Sequence, residues 1–269
     1  MYELHANHLP GATILTGAVL GVLVTISSVG AGALGVVVLL FLYPRLPMAR
    51  IVGTDIAHAV PLTLIAGLGH AALGTVDWKV VRLLATGSLP AALLSLLALK
   101  TLALDEKSLR ALITGVLSVA LVLTALALFL KPYLQKLGRR NDGAIYELHI
   151  NHLPGATILT GAVLGILVTI SSVGAGALGV VVLLFLYPRL PMARIVGTDI
   201  AHAVPLTLIA GLGHAALGTV DFGLLGSLLL GSLPGIYLGS HLGVKIPERV
   251  LRPILASMLM LIGGRLLLA

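Results

Sequence analysis

Residues 10–35 read PGATILTGAVLGVLVTISSVGAGALG, and residues 154–179 repeat them with one change, Ile166 in place of Val22. The match extends over residues 2–77 and 146–221 at a constant offset of 144, and 74 of the 76 aligned positions are identical. A long internal repeat in a hydrophobic chain is typical of a transporter built from two related halves. It predicts that a site in one half recurs in the other, and that a shared site forms between them.

The near-identity ends abruptly after Asp77 and Asp221. Beyond that point the halves share only short matches, such as Gly87-Ser-Leu-Pro90 with Gly231-Ser-Leu-Pro234. Uniform drift would not leave so sharp a boundary. Recent gene conversion would produce it, and so would an engineered or wrongly assembled chain; the sequence leaves both origins open.

The composition predicts an integral membrane protein. Mean hydropathy is +1.10 and 10% of the residues are charged, whereas a soluble protein carries about a quarter charged residues. The net charge of +7 comes from basic residues in short loops, a distribution that favours membrane orientation over nucleic-acid binding. There is no cysteine, which excludes disulfides and thiolate metal sites.

The apolar runs predict an all-α polytopic fold with two repeated halves of about four to five helical segments each. A spanning helix needs roughly 20 apolar residues, and the runs at 32–43 and 176–187 are shorter. Each follows a Ser/Gly segment, so we predict a broken or re-entrant helix in each half, a backbone that membranes tolerate beside a cavity. We predict a first membrane repeat at 1–130, a polar linker at 131–145 and a second repeat at 146–269. Whether the repeats are inverted or parallel is left open.

Three interpretations compete for the Ser/Gly segment. Gly30-Ala-Gly32-Ala-Leu-Gly35 has the form of a dinucleotide fingerprint, but the surrounding apolar sequence argues against that function. Small residues also allow close helix packing. Alternatively, a helix that restarts after a break offers free backbone N–H groups to an anion, with serine hydroxyls beside them.

A second element, Gly53-Thr-Asp-Ile-Ala-His58, recurs at 197–202. Asp55 and His58 are three residues apart, so they share a helix face and are predicted to pair. Buried ionisable groups in a membrane are usually functional, and histidine titrates near neutral pH. We therefore predict that Asp55, His58, Asp199 and His202 couple transport to protons. The alternative is that Asp55 caps the N-terminus of its own helix.

Other polar groups carry weaker signals. His5-x-x-His8 and its copy at 149–152 provide two imidazoles without a third ligand, so no metal site is predicted. His70 and His214 are interpreted as residues at the membrane interface. No set of nucleophile, base and orienting group is evident, so neither an enzyme nor a cofactor is expected.

Taken together, these motifs resemble the TauE/SafE sulfite exporters of the TSUP family. The resemblance rests on Leu15-Thr-Gly-Ala-Val-Leu-Gly21 with Ser27–Gly35, on Tyr43-Pro-x-Leu-Pro47, on Ile51-Val-Gly-Thr-Asp55 and on Gly74-Thr-Val-Asp77, with Gly231-Ser-Leu-Pro-Gly235 and Pro247-Glu-Arg-Val-Leu-Arg252 in the second half. It implies a carrier of the bacterial inner membrane that moves a small sulfur oxyanion or sulfonate, with protons as a coupling partner. Oligomeric state is left open. An uncoupled anion channel and a non-transporting or chimeric membrane protein are the alternatives.

The resemblance also implies where the substrate binds. The substrate role falls on the Ser/Gly segment and the Gly-Thr-Asp element, in both copies. These residues are Ser27, Ser28, Gly30, Gly32, Thr54, Asp55, Ser171, Ser172, Gly174, Gly176, Thr198 and Asp199.

Overall fold

A computed structural model describes residues 10–27, 31–102, 104–139, 154–242 and 248–268. Over these residues the regular structure is entirely α-helical, which confirms the predicted fold class. In chain order the helices are α1 (Pro10–Ser27), α2 (Ala31–Leu42), α3 (Met48–Ala72), α4 (Trp78–Thr101), α5 (Glu106–Arg139), α6 (Pro154–Ser171), α7 (Ala177–Leu186), α8 (Met192–Ala216), α9 (Phe222–Leu242) and α10 (Glu248–Leu267).

Proline and aspartate set the helix starts. Pro47 and Pro191 precede α3 and α8, because proline fits a first turn that needs no N–H donor there. Asp77 caps α4 by accepting from the Lys79 and Val80 N–H groups. Within the described part of the chain, α3, α4, α6, α8 and residues 106–133 of α5 are long and apolar enough to cross a membrane.

The short α7 follows a real break in the backbone. Ser172, Gly174 and Gly176 have φ angles of 63°, 146° and 100°, values that a helix cannot contain and that glycine adopts most readily. The segment between α6 and α7 is therefore non-helical, as the Ser/Gly composition predicts. Helix α5 continues to Arg139, into the segment predicted as a linker, and the division into two repeats stays a prediction.

Helices from the two ends of the chain pack against each other. Helix α1 lies against α9, α6 against α4, and α3 against α8. A Cβ built at Gly87 would lie 1.9 Å from the carbonyl oxygen of Ile158, and one at Gly231 would lie 1.9 Å from that of Ile14. These glycines let the helix backbones meet, which is how small residues stabilise helix pairs in membranes.

Replacing Gly87 by alanine is expected to destabilise the protein by about 1–3 kcal/mol, because the new methyl group overlaps the backbone of α6. The matched control is Gly226→Ala in α9, where nothing lies within 4 Å of an added Cβ. That change should be neutral or slightly stabilising, since alanine favours a helix. Unfolding in mixed micelles measures both; equal stability of the two variants would contradict the close packing of α4 on α6.

Candidate functional site

A cavity of about 290 Å³ lies between α3 and α8, beside the break that follows α6. Most of its wall is formed by aliphatic side chains. Its polar lining consists of Thr63 and His70 from α3, Ser172 and Gly176 from the break, Asp199 and Thr207 from α8, with Gly32 of α2 beside them. Four residues predicted to bind substrate, Gly32, Ser172, Gly176 and Asp199, therefore meet in one cavity.

Asp199 caps a helix other than its own. It lies in the third turn of α8, whose N-cap is Pro191. Asp55 likewise lies inside α3, whose N-cap is Pro47, so the predicted alternative that Asp55 caps its own helix is wrong. Asp199 Oδ2 instead accepts a hydrogen bond of 2.8 Å from the N–H of Gly176, the N-cap residue of α7. A carboxylate thus occupies the N-terminus of the helix that restarts after the break, where the helix dipole favours negative charge.

Asp55 reaches the same break from α3. Its Oδ2 accepts a hydrogen bond of 2.6 Å from the hydroxyl of Ser172. The other oxygen, Oδ1, would lie 1.8 Å from a Cβ built at Gly35, just as Asp199 Oδ1 would lie 1.9 Å from one at Gly179. Each carboxylate therefore occupies space that only a glycine leaves open. Both Oδ1 atoms are buried and have no hydrogen-bond partner in the described chain.

The predicted pairing of Asp55 with His58 is wrong. His58 Nε2 lies 2.9 Å from Ser232 Oγ on α9, and His202 Nε2 lies 2.8 Å from Ser88 Oγ on α4. Residues three apart point about 60° from each other around a helix, so the carboxylate reaches the break while the imidazole reaches a different helix. Neither His58 nor His202 lines the cavity.

Thr54 and Thr198 lie outside the cavity and hold turns. The Thr54 hydroxyl accepts from the backbone N–H of Asp221 at 2.9 Å, and the Thr198 hydroxyl accepts from that of Asp77 at 2.9 Å. Each threonine thus positions the aspartate that begins a helix from the other end of the chain. Both hydroxyls therefore bind backbone groups between helices and do not line the cavity.

The remaining predicted residues are placed as follows. Ser171 donates to the Leu167 carbonyl at 2.7 Å within α6 and does not line the cavity, and Gly174 contributes the positive φ of the break. Ser27 ends α1, while Ser28 and Gly30 lie outside the described residues, as do His5, His8, His149 and His152. The described residues contain no group of three or more His, Cys, Asp or Glu side chains suited to a metal.

Several polar residues at or near the site were missed from the sequence. Thr63 and Thr207, at equivalent positions of the repeat, lie 3.0 Å apart across the junction of α3 and α8. Ser88 and Ser232 bind the buried histidines, and a signal existed for them: their Gly-Ser-Leu-Pro motif persists where the halves otherwise diverge. His214 is not interfacial, since it is 1% exposed.

Comparison with known proteins assigns the chain to a family. The model of the family described as Sulfite exporter TauE/SafE matches residues 3–119 and 74–266. The chain is 34% identical over 254 residues to "Probable membrane transporter protein YjnA" of Bacillus subtilis (strain 168), covering 94% of this chain and 98% of the relative. It is 26% identical over 262 residues to "Probable membrane transporter protein YdhB" of the same organism, covering 92% and 98%.

No solved structure matches the chain. The family and the apolar helices describe an integral membrane protein, which in a bacterium lies in the inner membrane. Both relatives are described as probable membrane transporter proteins. The chain therefore belongs to the TauE/SafE family of membrane transporters.

Proposed function

We propose that this protein is a secondary transporter of a small sulfur-containing anion, sulfite or an organosulfonate, and that protons are its coupling ion. The observation that carries the proposal is the hydrogen bond from the Gly176 N–H to Asp199 in the wall of the cavity. A helix N-terminus with a neighbouring hydroxyl is suited to a sulfur oxyanion. In this structure the protein's own carboxylates use both donors.

The carboxylates suggest how a proton and an anion are coupled. While Asp199 is ionised it competes with a substrate anion for the Gly176 N–H, and Asp55 competes in the same way for Ser172. Protonation removes the negative charge that repels the substrate. The anion then takes the N–H and the hydroxyl, and the proton and the anion move as a neutral pair, which lowers the cost of carrying charge through a membrane.

The cavity agrees in size and character with such a substrate. A volume of about 290 Å³ exceeds that of a single water, whose share of liquid is about 30 Å³, many times over. Polar groups cluster around Ser172 and Asp199, and aliphatic side chains such as Ile56, Val180 and Ile200 line the rest. An anionic head can meet the donors while a short carbon body contacts the apolar wall.

The direct test is transport in proteoliposomes. We expect uptake of sulfite or sulfoacetate that a pH gradient accelerates, measured with labelled anions against protein-free liposomes. Flux that a pH gradient leaves unchanged would indicate an uncoupled channel. No flux with any sulfite, thiosulfate, taurine or sulfoacetate would contradict the transport proposal and favour a non-transporting protein.

Binding provides a second test through the two neighbouring serines of the break. Ser172→Ala is expected to abolish stabilisation of the detergent-solubilised protein by sulfite, because it removes a hydroxyl that lines the cavity. Ser171→Ala is the matched control, since that hydroxyl bonds the Leu167 carbonyl and the Val173 backbone and does not line the cavity, and it should keep the stabilisation. Thermal melting with and without the anion measures both. A loss in the control but not in Ser172→Ala would place the anion elsewhere.

A further inference from the structure

We infer that His70 supplies the positive charge that faces the transported anion in the cavity. This inference deepens the proposed function and rests on it. His70 projects from the last turns of α3 into the cavity wall. Of the four residues predicted from the sequence to couple protons, Asp199 lines the cavity, whereas Asp55, His58 and His202 do not.

The charge inventory of the cavity singles out this residue. Among the described residues that line it, the titratable side chains are Asp199 of α8 and His70, and neither lysine nor arginine is present. The helices that complete the wall present Val24 of α1, Val168 of α6, Val180 of α7 and Ile236 of α9, none of which is charged. An anion in so apolar a space needs a cation or strong donors nearby. A protonated His70 is the cation that the wall can provide.

The imidazole of His70 is held at one ring nitrogen, and the other is left without a hydrogen bond to the described residues. Its Nδ1 lies 2.9 Å from the hydroxyl of Thr75, and that hydroxyl donates to the His70 carbonyl at 3.0 Å. A hydroxyl that donates elsewhere accepts from Nδ1, so Nε2 is left for other chemistry. Nε2 makes no hydrogen bond to the described residues. The ring also rests on α8, where a Cβ at Gly197 would lie 3.1 Å from Nδ1.

His214, the equivalent histidine of the repeat, has a purely structural role. His214 has the same local sequence, and its Nδ1 lies 2.8 Å from the Thr219 hydroxyl. Its Nε2, however, donates to the carbonyl of Thr169 at 2.8 Å, so in the neutral ring Nδ1 accepts from Thr219; the residue is 1% exposed. Both ring nitrogens of His214 are therefore used inside the protein.

The difference arises from the neighbouring helix. Leu96 of α4 covers α8 at Gly213, where its side chain would lie 2.2 Å from an added Cβ. At the equivalent Gly69 of α3 nothing lies within 4 Å. Among the described residues nothing covers α3 at Gly69, and His70 lines the cavity whereas His214 does not.

The test compares anion binding by three variants, with sulfoacetate as the probe between about pH 5.5 and 8, where both acid groups of the probe stay ionised. His70→Gln keeps a donor for Thr75 but loses the charge, and its affinity should fall at least about tenfold, as expected for a lost charge-assisted hydrogen bond. His70→Arg stays charged at every pH used, so its binding should lose the part of the pH dependence that His70 contributes and keep only the part that the carboxylates contribute. His214→Gln is the matched control, and it should keep the wild-type pH profile while its melting temperature falls.

The inference is overturned if His70→Gln binds like the wild type with the same pH profile, or if His214→Gln flattens the profile equally. It is also overturned if sulfoacetate fails to stabilise the wild-type protein. Flux is measured separately in proteoliposomes. Binding that depends on His70 without any flux would refute the transporter proposal and leave the anion site standing.

Discussion

Replacing Asp55 and Asp199 together by asparagine is expected to reduce pH-driven anion uptake to the level of protein-free liposomes. Asparagine has nearly the same shape, and its side-chain oxygen can still accept from the Gly176 N–H or the Ser172 hydroxyl. It cannot bind and release a proton. The double variant should therefore still fold and bind the anion, but a pH gradient should no longer drive it. Both positions are changed because the repeat provides two equivalent carboxylates.

Asp77→Asn is the matched control for this experiment. Asp77 caps α4 outside the cavity, and asparagine is as good an N-cap as aspartate, so uptake should stay close to that of the wild type. The measurement is anion uptake with and without a pH gradient, with thermal melting to verify folding. Wild-type coupling in the Asp55/Asp199 double variant would show that the proton travels by another route.

Replacing Gly179 by alanine is expected to destabilise the protein by about 1–3 kcal/mol through overpacking and to reduce pH-driven uptake as well. The new Cβ would lie 1.9 Å from Asp199 Oδ1 and 2.8 Å from its carboxyl carbon. Asp199 is 0% exposed, so its short side chain has little room to move aside. When the carboxylate is displaced, α7 loses its cap and the cavity loses its competing anion.

Two further variants provide an equivalent test and a control for Gly179→Ala. Gly35→Ala should behave similarly, since its Cβ would lie 1.8 Å from Asp55 Oδ1. Gly264→Ala in α10 meets nothing within 4 Å and should leave both stability and uptake unchanged. Melting temperature and uptake are measured for all three. A Gly179→Ala protein as stable and as strongly coupled as the wild type would mean that the carboxylate does not need this position.

The helices could be predicted from the sequence because the residues that determine them are local. Apolar runs of nearly membrane-spanning length, bounded by Pro47, Asp77 and their copies, predict the helices other than α5 to within a few residues. The Ser/Gly segment predicts the break before α7, because serine and glycine can adopt the positive φ values found there. Each of these signals lies within a few residues of the structure that it specifies.

The hydrogen-bond partners of the polar side chains could not be predicted from local sequence. Asp55 and His58 are near in sequence, yet one bonds Ser172 and the other Ser232, more than a hundred residues away. Helical spacing predicts that two side chains share a face, but it does not say which neighbouring helix that face meets. That choice depends on how α3 packs between α8 and α9, which local periodicity does not encode.

His70 and His214 show which features the sequence determines by itself and which depend on the tertiary structure. The sequence specifies a membrane protein with two repeated halves of about four to five helical segments each and a repeated set of polar residues, because hydrophobicity and backbone preference act locally. It gives both histidines the same surroundings over dozens of residues. Their environments differ because α4 packs on α8 at Gly213, whereas no described residue packs on α3 at Gly69. Contacts between distant segments, which follow from the diverged parts of the chain, therefore determine which copy of an identical motif faces the cavity.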